Sequence, residues 1–550
     1  MYRREQAGPA ALAKAAEVSP GPVAAPLSWG AATAKNQDSP TRVIDLPITT
    51  TGTVQCEVKA NPAATRQAWA LAACNDQFGG VQLFLSTNLS DAAPAWTRVA
   101  PSVSGSFGDA SLVWSADGSR AWLAAVEPIS GQPRPVVYAL TVADNGIVTA
   151  AAPVSLGTSA GDKPRLHFDG VSQRLFAVWI SNFEVNVATS SNNGTSWSFP
   201  EAVPNVQALS ADVLVAEQLI GQQLTRRLLI SMATAFRPDG NFCDASLPCE
   251  VRVAVSNLNA GPAQLQPVIA TLRARNGVFQ IPAARTRSIR YYTRMAAAPT
   301  AGAVNPGRVY MAWVDLSDRS PAANPPTAFD TNNATVRTAF SDDGGLTWTN
   351  RGDFFANPTT SCSVAVCIDR FNPGLVVDHN GVVHVTWQDT RASGFDRNAV
   401  DVYYAYSRNG GAAWLPNGQL RISSQSSPIP TTTTQWGDYT GLTVQRPALL
   451  AGGSFARNQL LSVWTDARGN PAQTRGYSGV FSVLSNPVYT WANNGGQPPT
   501  FVCRNATITR NLSLATDLQV LRPMALSILT DTSAYSTARS LSVQSLTPNP

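Results

Sequence analysis

Charge is scarce in this chain. Only 14% of its 550 residues are Asp, Glu, Lys or Arg, against about a quarter in an average soluble domain. The formal net charge is +5, small for the length, and no block of Lys or Arg occurs. That leaves no electrostatic footprint for nucleic acid or an anionic membrane surface. Glutamate stops at Glu250, so every acidic side chain beyond it is Asp. No apolar run approaches the ~18 residues of a membrane-spanning helix. Residues 1–41, rich in Ala and Pro, lack the apolar centre of a signal peptide and read as a disordered leader.

Cysteine is sparse but paired in its spacing. Of seven, Cys243 and Cys249 flank one short loop, and Cys362 and Cys367 flank another. Both pairs are expected to be disulfides. Cys56 and Cys74 bracket the first strand pair. Cys503 is left over and could instead tie the C-terminal segment to Cys56 or Cys74. The spacings miss the zinc-site patterns, and no His lies near. Such pairs in a loop-rich β protein imply an oxidising compartment, hence a secreted or cell-surface protein.

Hydrophobic content of 44% is ample for a core, and its organisation follows from one turn. Ser341-Asp342-Asp343-Gly344-Gly345-Leu346-Thr347-Trp348 places Asp, two Gly and Thr between two β-prone runs. Gly supplies positive φ and Asp bonds its own backbone two residues on, so the segment is a hairpin turn. Ser190–Trp197 and Ser407–Trp414 repeat the spacing. Ser86-Thr87-Asn88, with Trp96, is a lengthened copy. The pattern resembles the Asp box of the sialidase-like and BNR-repeat proteins. Trp197, Trp348 and Trp414 are expected to be buried beside their turns.

A longer repeat underlies the boxes. An acidic residue opens a first strand, a Gly-containing turn follows, and a second strand ends in Trp, often as Trp-x-Asp. A third strand then runs into the box. Seven units can be traced from Glu57 to Trp491, the fourth of them faint, with Asp212 at its start. Four-stranded units of this length, each unable to bury both faces alone, predict an all-β propeller over residues 42–492. Seven blades are expected. Six, as in sialidases, with an insertion is the alternative. Residues 493–550 read as a β extension.

Blade topology separates two faces. The boxes are turns between third and fourth strands. The ends of second strands and the openings of first strands gather at the opposite face, around the axis. Trp387-Gln388-Asp389-Thr390-Arg391 and Trp464-Thr465-Asp466-Ala467-Arg468 repeat W-x-D-x-R there. Blade openings add Asp109, Asp162, Arg290, Arg294, Asp438 and Tyr439. A ring of Asp, Arg and Tyr can bind an acidic sugar, because Arg offers a planar fork to a carboxylate and a carboxylic acid can protonate a leaving oxygen. The candidate catalytic residues are Asp438, Tyr439, Asp389 and Glu184. The candidate substrate-binding residues are Arg391, Arg468, Asp466, Arg294 and Arg290. Equally, these Asp and Arg side chains could pair with one another and fix blade packing.

The family resemblance implies an arginine triad, a Tyr–Glu nucleophile pair and an Asp acid. Those do not carry over residue by residue. Phe279-Gln280-Ile281-Pro282 has Gln where the family's Phe-Arg-Ile-Pro has Arg, and it lies in mid-chain. Two functions follow: a secreted glycosidase with a non-standard site, or a non-catalytic propeller that binds carbohydrate or protein or serves as a surface scaffold. A glycan partner is expected, with no nucleic acid, no membrane span and no cofactor. A structural Ca²⁺ among Asp315, Asp318 and Asp330 fits no known loop pattern.

Overall fold

The computed structural model of the chain describes residues 44–48 and 53–483, with breaks. The longer breaks are 90–94, 235–248, 273–277, 317–333, 354–367, 431–435, 446–457 and 469–473. The expected leader and C-terminal extension therefore lie outside the described residues, as do Cys243, Cys362, Cys367, Cys503, Asp318 and Asp330. Among the described residues there is no α-helix, and every strand pair is antiparallel.

The strands fall into consecutive four-stranded groups, numbered here in chain order. Group one is Thr53–Ala60, Ala70–Asp76, Gly80–Ser86 and Thr97–Ser104. Group two is Gly108–Trp114, Arg120–Ile129 and Gln132–Val142, with an outer edge in two pieces, Val148–Ala150 and Val154–Ser155. Group three begins Asp162–Asp169, Arg174–Ser181 and Glu184–Ser190. Group five is Arg294–Ala297, Val309–Leu316, Ala334–Ser341 and Thr349–Asp353. Group six is Arg370–Val377, Val383–Asp389, Ala399–Ser407 and Leu415–Arg421. Group seven is Gly441–Gln445, Asn458–Asp466 and Arg475–Val483, and its fourth strand is Ile44–Pro47 from the other end of the chain.

Group four, the faint unit of the sequence, is complete but has no strand opening of its own. A single strand, Glu201–Ile220, pairs through its first half with Glu184–Ser190 and through its second half with Gln223–Thr234. The group continues with Glu250–Asn257 and Ala260–Leu265. Asp212 thus lies in mid-strand rather than at a strand start. Its carboxylate accepts the Met295 N–H at 2.8 Å, which ties group four to group five.

The groups pack face to face in chain order. The first strand of each touches the first strand of the next, and Gly441–Gln445 of group seven touches Thr53–Ala60 of group one. The apolar clusters lie chiefly between consecutive groups. One joins Leu71 and Leu83 to Leu112 and Leu123, another joins Trp122 to Trp179, and another joins Cys56 and Val58 to Leu461 and Val463. Second strands are therefore covered on both faces. All seven residues of Val383–Asp389 are buried, as expected of a strand with a layer on either side. The fully buried tryptophans are those of the second strands: Trp122, Trp313, Trp387 and Trp464. Each hides roughly 150–250 Å², worth about 4–6 kcal/mol at ~25 cal/mol per Å². Trp197, Trp348 and Trp414 beside the turns are only half-buried, because each lies over a surface turn with solvent on one side.

The repeated turns share one hydrogen-bond pattern. In the turn of group five, Ser341 Oγ donates to Asp343 Oδ1 at 2.8 Å and accepts the Gly345 N–H at 2.8 Å, while Thr347 N donates to Asp343 Oδ1 at 2.8 Å. Ser190, Asn192, Gly194 and Ser196 reproduce it in group three, and Ser407, Asn409, Gly411 and Ala413 in group six. Each of these turns also accepts a donor from the group before it. Trp122 Nε1 bonds Asn193 O at 2.9 Å, Arg227 bonds Asp343 O, and Arg308 Nη1 bonds Gly410 O at 3.3 Å. The turns staple neighbouring groups.

Of the cysteines, Cys56 and Cys74 are bonded to each other across directly opposed positions of two strands. That removes both as partners for Cys503. Cys249 is also disulfide-bonded.

Candidate functional site

Strand register separates the turns from the strand openings. In group six, Arg370 at the start of the first strand lies opposite Asp389 at the end of the second, which lies opposite Asp401. Ser407, where the turn begins, lies opposite Val383 at the other end. Strand openings and second-strand ends thus share one face.

A repeated irregularity shapes that face. Four first strands carry a bulge against their second strand, between Val54 and Cys56, Gly108 and Ser111, Asp162 and Arg165, and Phe371 and Gly374. Within each sits a non-glycine residue in the left-handed region: Gln55 (φ 54°), Asp109 (56°), Lys163 (55°) and Asn372 (50°). A bulge adds one residue and re-aims the side chains after it. Two positions on, the equivalent residues are Glu57, Ser111, Arg165 and Gly374.

Two of those meet at the centre. Arg165 Nη1 lies 2.9 Å from Glu57 Oε2, and Arg294 Nη2 from group five lies 3.3 Å from the same oxygen. Lys59 Nζ lies 3.3 Å from Glu57 Oε1. Tyr439, just before the first strand of group seven, places its ring under both guanidiniums, 4.3 Å from Arg165 and 5.3 Å from Arg294. Its hydroxyl donates to Ala110 O at 3.2 Å. Beside it, Tyr292 donates to Asp438 Oδ2 at 3.2 Å. Glu57, Arg165, Arg294, Tyr292, Asp438 and Tyr439 are all buried. Asp109 is half-buried beside them, and the Asp162 side chain is 52% exposed and paired with Lys163 Nζ at 2.6 Å.

The electrostatics divide the cluster. Burial alone would raise the Glu57 carboxyl, but Lys59, Arg294 and Arg165 outweigh it and hold it down at about 2. Burial, and then the Asp162 carboxylate, push Asp109 well above the carboxylate range. Glu57 is therefore held towards the anion, and Asp109 towards the protonated form. Burial, and then Asp109, raise the Tyr439 phenol well above its usual value, so it stays a neutral hydroxyl.

The sequence candidates divide accordingly. Asp438, Tyr439 and Arg294 come together at the centre. The Arg290 side chain lies outside the described residues. Glu184 stands exposed at the start of a third strand, outward from the central first strands, and the fold does not bring it to Tyr439. Asp389 and Asp466 are fully buried inside their own groups. Asp389 accepts Trp387 Nε1 at 2.9 Å, Arg391 N at 2.8 Å and Arg391 Nη2 at 2.5 Å, and Arg391 lies 3.9 Å above the Tyr403 ring. Asp466 repeats this with Trp464 Nε1 at 3.1 Å and Arg468 Nη2 at 2.6 Å, with Arg468 over Tyr477. Tyr403 and Tyr477 are the cross-strand neighbours of the two tryptophans. W-x-D-x-R is thus a closed unit in which Asp, Trp, Arg and Tyr satisfy one another. In group five Asp315 faces Arg337 at 3.3 Å instead. Among the described residues no three His, Cys, Asp or Glu side chains are placed to hold a metal.

The sequence named Glu57 only as a strand opener, placed Asp109 and Asp162 in the ring at the blade openings, and missed Arg165 and Tyr292. Arg165 corresponds to Ser111, two positions beyond the left-handed residue of each strand, and that correspondence appears only in the strand pairing.

No protein-family model and no curated protein sequence matches the chain. Solved structures do resemble it loosely. A point mutant of the NanB sialidase of Streptococcus pneumoniae is 11% identical, with 82% of this chain and 70% of that one covered, and a TM-score of 0.33. The BP39L lectin of Burkholderia pseudomallei is 13% identical over 79% of this chain and 100% of its own, with a TM-score of 0.43. A GH62 hydrolase crystallised with xylotriose is 11% identical over 68% and 90%, with a TM-score of 0.31.

Proposed function

We propose that the chain is an exported, seven-bladed Asp-box propeller whose axial cluster binds a glycan bearing an acidic group. The cyclic order of first-strand contacts and the apolar cluster between groups seven and one support the ring. The Cys56–Cys74 disulfide supports export. The observation that carries the ligand reading is the convergence of two buried guanidiniums, Arg165 and Arg294, over the Tyr439 face. Guanidiniums fork to carboxylates, and the Tyr439 ring beneath orients them. Asp438 and Asp162 are the acceptors for sugar hydroxyls. Asp389–Arg391 and Asp466–Arg468 support the rim.

The test is a glycan array carrying acidic and neutral glycans, probed with wild type, Arg165→Met and Tyr439→Phe. Acidic glycans should be retained by wild type and weakened about tenfold or more by Arg165→Met, the loss of a charge-assisted hydrogen bond. A folded wild type that retains no glycan ends this reading.

A hydrolytic reading rests on a separate observation, the divergence of Asp109 and Glu57. Burial and the Asp162 carboxylate push one carboxyl up while cations hold the other down, the direction of the division of labour a glycosidase needs. Under this reading a panel of fluorogenic glycosides finds a substrate, and Asp109→Asn abolishes turnover while glycan retention persists. Turnover unaffected by Asp109→Asn would exclude Asp109 as the acid.

A further inference from the structure

The arginine pair already holds an anion, and that anion belongs to the protein. Glu57 Oε2 sits between Arg165 and Arg294, where an incoming acidic group would have to sit. The pair is not saturated. Arg165 Nη2 is buried and has no hydrogen-bond partner among the described residues, although Arg165 is only 4% exposed. A buried guanidinium N–H without a partner is costly, and its usual remedy is an oxygen ligand. Three cations, Arg165, Arg294 and Lys59, address the one Glu57 carboxylate, and Asp212 acts on both guanidiniums as well.

We infer that Glu57 is a built-in competitor of the ligand's acidic group: both address Arg165 and Arg294, and Glu57 sets how tightly an external anion is held. This inference rests on the axial cluster being the ligand site. The chemistry is that of an exchange. An oxyanion entering from the Asp162 side takes the open Arg165 Nη2 first. It then shares Nη1 with Glu57 or displaces it, and Glu57 keeps Lys59 as its partner. A sulfate or carboxylate supplies the two oxygens a guanidinium fork accepts. Glu57 thereby makes binding reversible and selective, since a weak or monodentate anion cannot outcompete an internal carboxylate held by three cations.

Inorganic sulfate and glucuronate are the probes, titrated calorimetrically at fixed ionic strength against wild type, Glu57→Gln and Arg165→Met. Glu57→Gln keeps the shape and one hydrogen-bond acceptor but removes the charge. It should bind sulfate about tenfold or more tightly than wild type, the scale of one charge-assisted contact. Arg165→Met in the Glu57→Gln background should lose that gain. Glu57→Asp withdraws the carboxylate by one methylene, and should bind sulfate more tightly than wild type even if Glu57→Gln does not fold. Equal sulfate affinity for wild type and a folded Glu57 variant would overturn the competition. If acidic glycans still bind wild type in that case, the site stands and only the competitor role falls. If sulfate binds more tightly to Glu57→Gln but no glycan binds wild type, the competitor stands and the glycan reading falls.

Discussion

Glu57 is the residue on which acid stability should turn. Its carboxyl sits near 2 when folded against an ordinary 4.5. Between those values the unfolded chain binds more protons than the folded one, so stability rises with pH there. The contribution is complete above about pH 4.5, is lost as pH falls towards 2, and amounts to about 3 kcal/mol. His167 acts one step higher. Burial lowers it to about 4 from 6.5, so the folded state prefers the neutral ring, and stability falls as pH drops from 6.5 towards 4. Urea midpoints followed against pH should therefore decline in two stages. Glu57→Gln should flatten the lower stage and His167→Gln the upper. Curves for Glu57→Gln and wild type that stay parallel between pH 4.5 and 2 would show that Glu57 carries no such linkage. None of this was legible from the sequence. Glu57 is separated from Arg165 and Arg294 by 108 and 237 positions, and no local pattern reports a meeting at that range.

At the scale of the strand, the bulges govern where the central side chains point. A one-residue slip would turn Glu57 and Arg165 to the opposite face. Lys163 holds its place at φ 55°, a conformation that a β-branched side chain resists and glycine adopts freely. Lys163→Val should therefore destabilise the protein by roughly 1–3 kcal/mol. Lys163→Gly should cost clearly less, the loss of the Asp162 ion pair included. Thermal melting of the two variants decides the matter; equal losses would mean that the backbone conformation is not what the position demands. The turns were legible where the bulges were not. Ser, Asp or Asn, and Gly at fixed spacing state their hydrogen bonds in the sequence, because each bond closes within four residues. A bulge is defined by a partner strand, and Gln55, Asp109, Lys163 and Asn372 share no residue type that would announce it. Strand Glu201–Ile220 hid for a related reason: with no turn inside it, the border between two groups leaves no mark.

For the molecule as a whole, the repeat of Trp-x-Asp and turn motifs was enough to read an all-β organisation built from antiparallel units. It left open which charges were free. Regular recurrence of W-x-D-x-R allowed either a ring of ligand contacts or pairs that fix packing, and the buried Asp389 and Asp466 each accept from their own Trp and Arg. What recurs in every group tends to serve the group. The central cluster draws different residue types from different groups. The pairing of Ile44–Pro47 with Arg475–Val483 joins the two ends of the described chain in one sheet. Deleting residues 1–48 should leave group seven with an open edge, lower the melting temperature, and promote association through that edge. A truncated protein that melts with wild type and stays monodisperse would show the strand to be dispensable.

That same pairing bears on synthesis. Ile44–Pro47 leaves the ribosome well before its partner strand, which begins at Arg475. Translation at about 5–20 residues per second separates the two by tens of seconds. For that interval the nascent chain carries an unmatched strand, and groups one to six accumulate before the last can be completed. A circular permutant that places residues 44–48 after residue 483 would bring the partners out of the ribosome together. It should therefore reach the native state sooner after release, with less demand on chaperones, while keeping the same set of contacts.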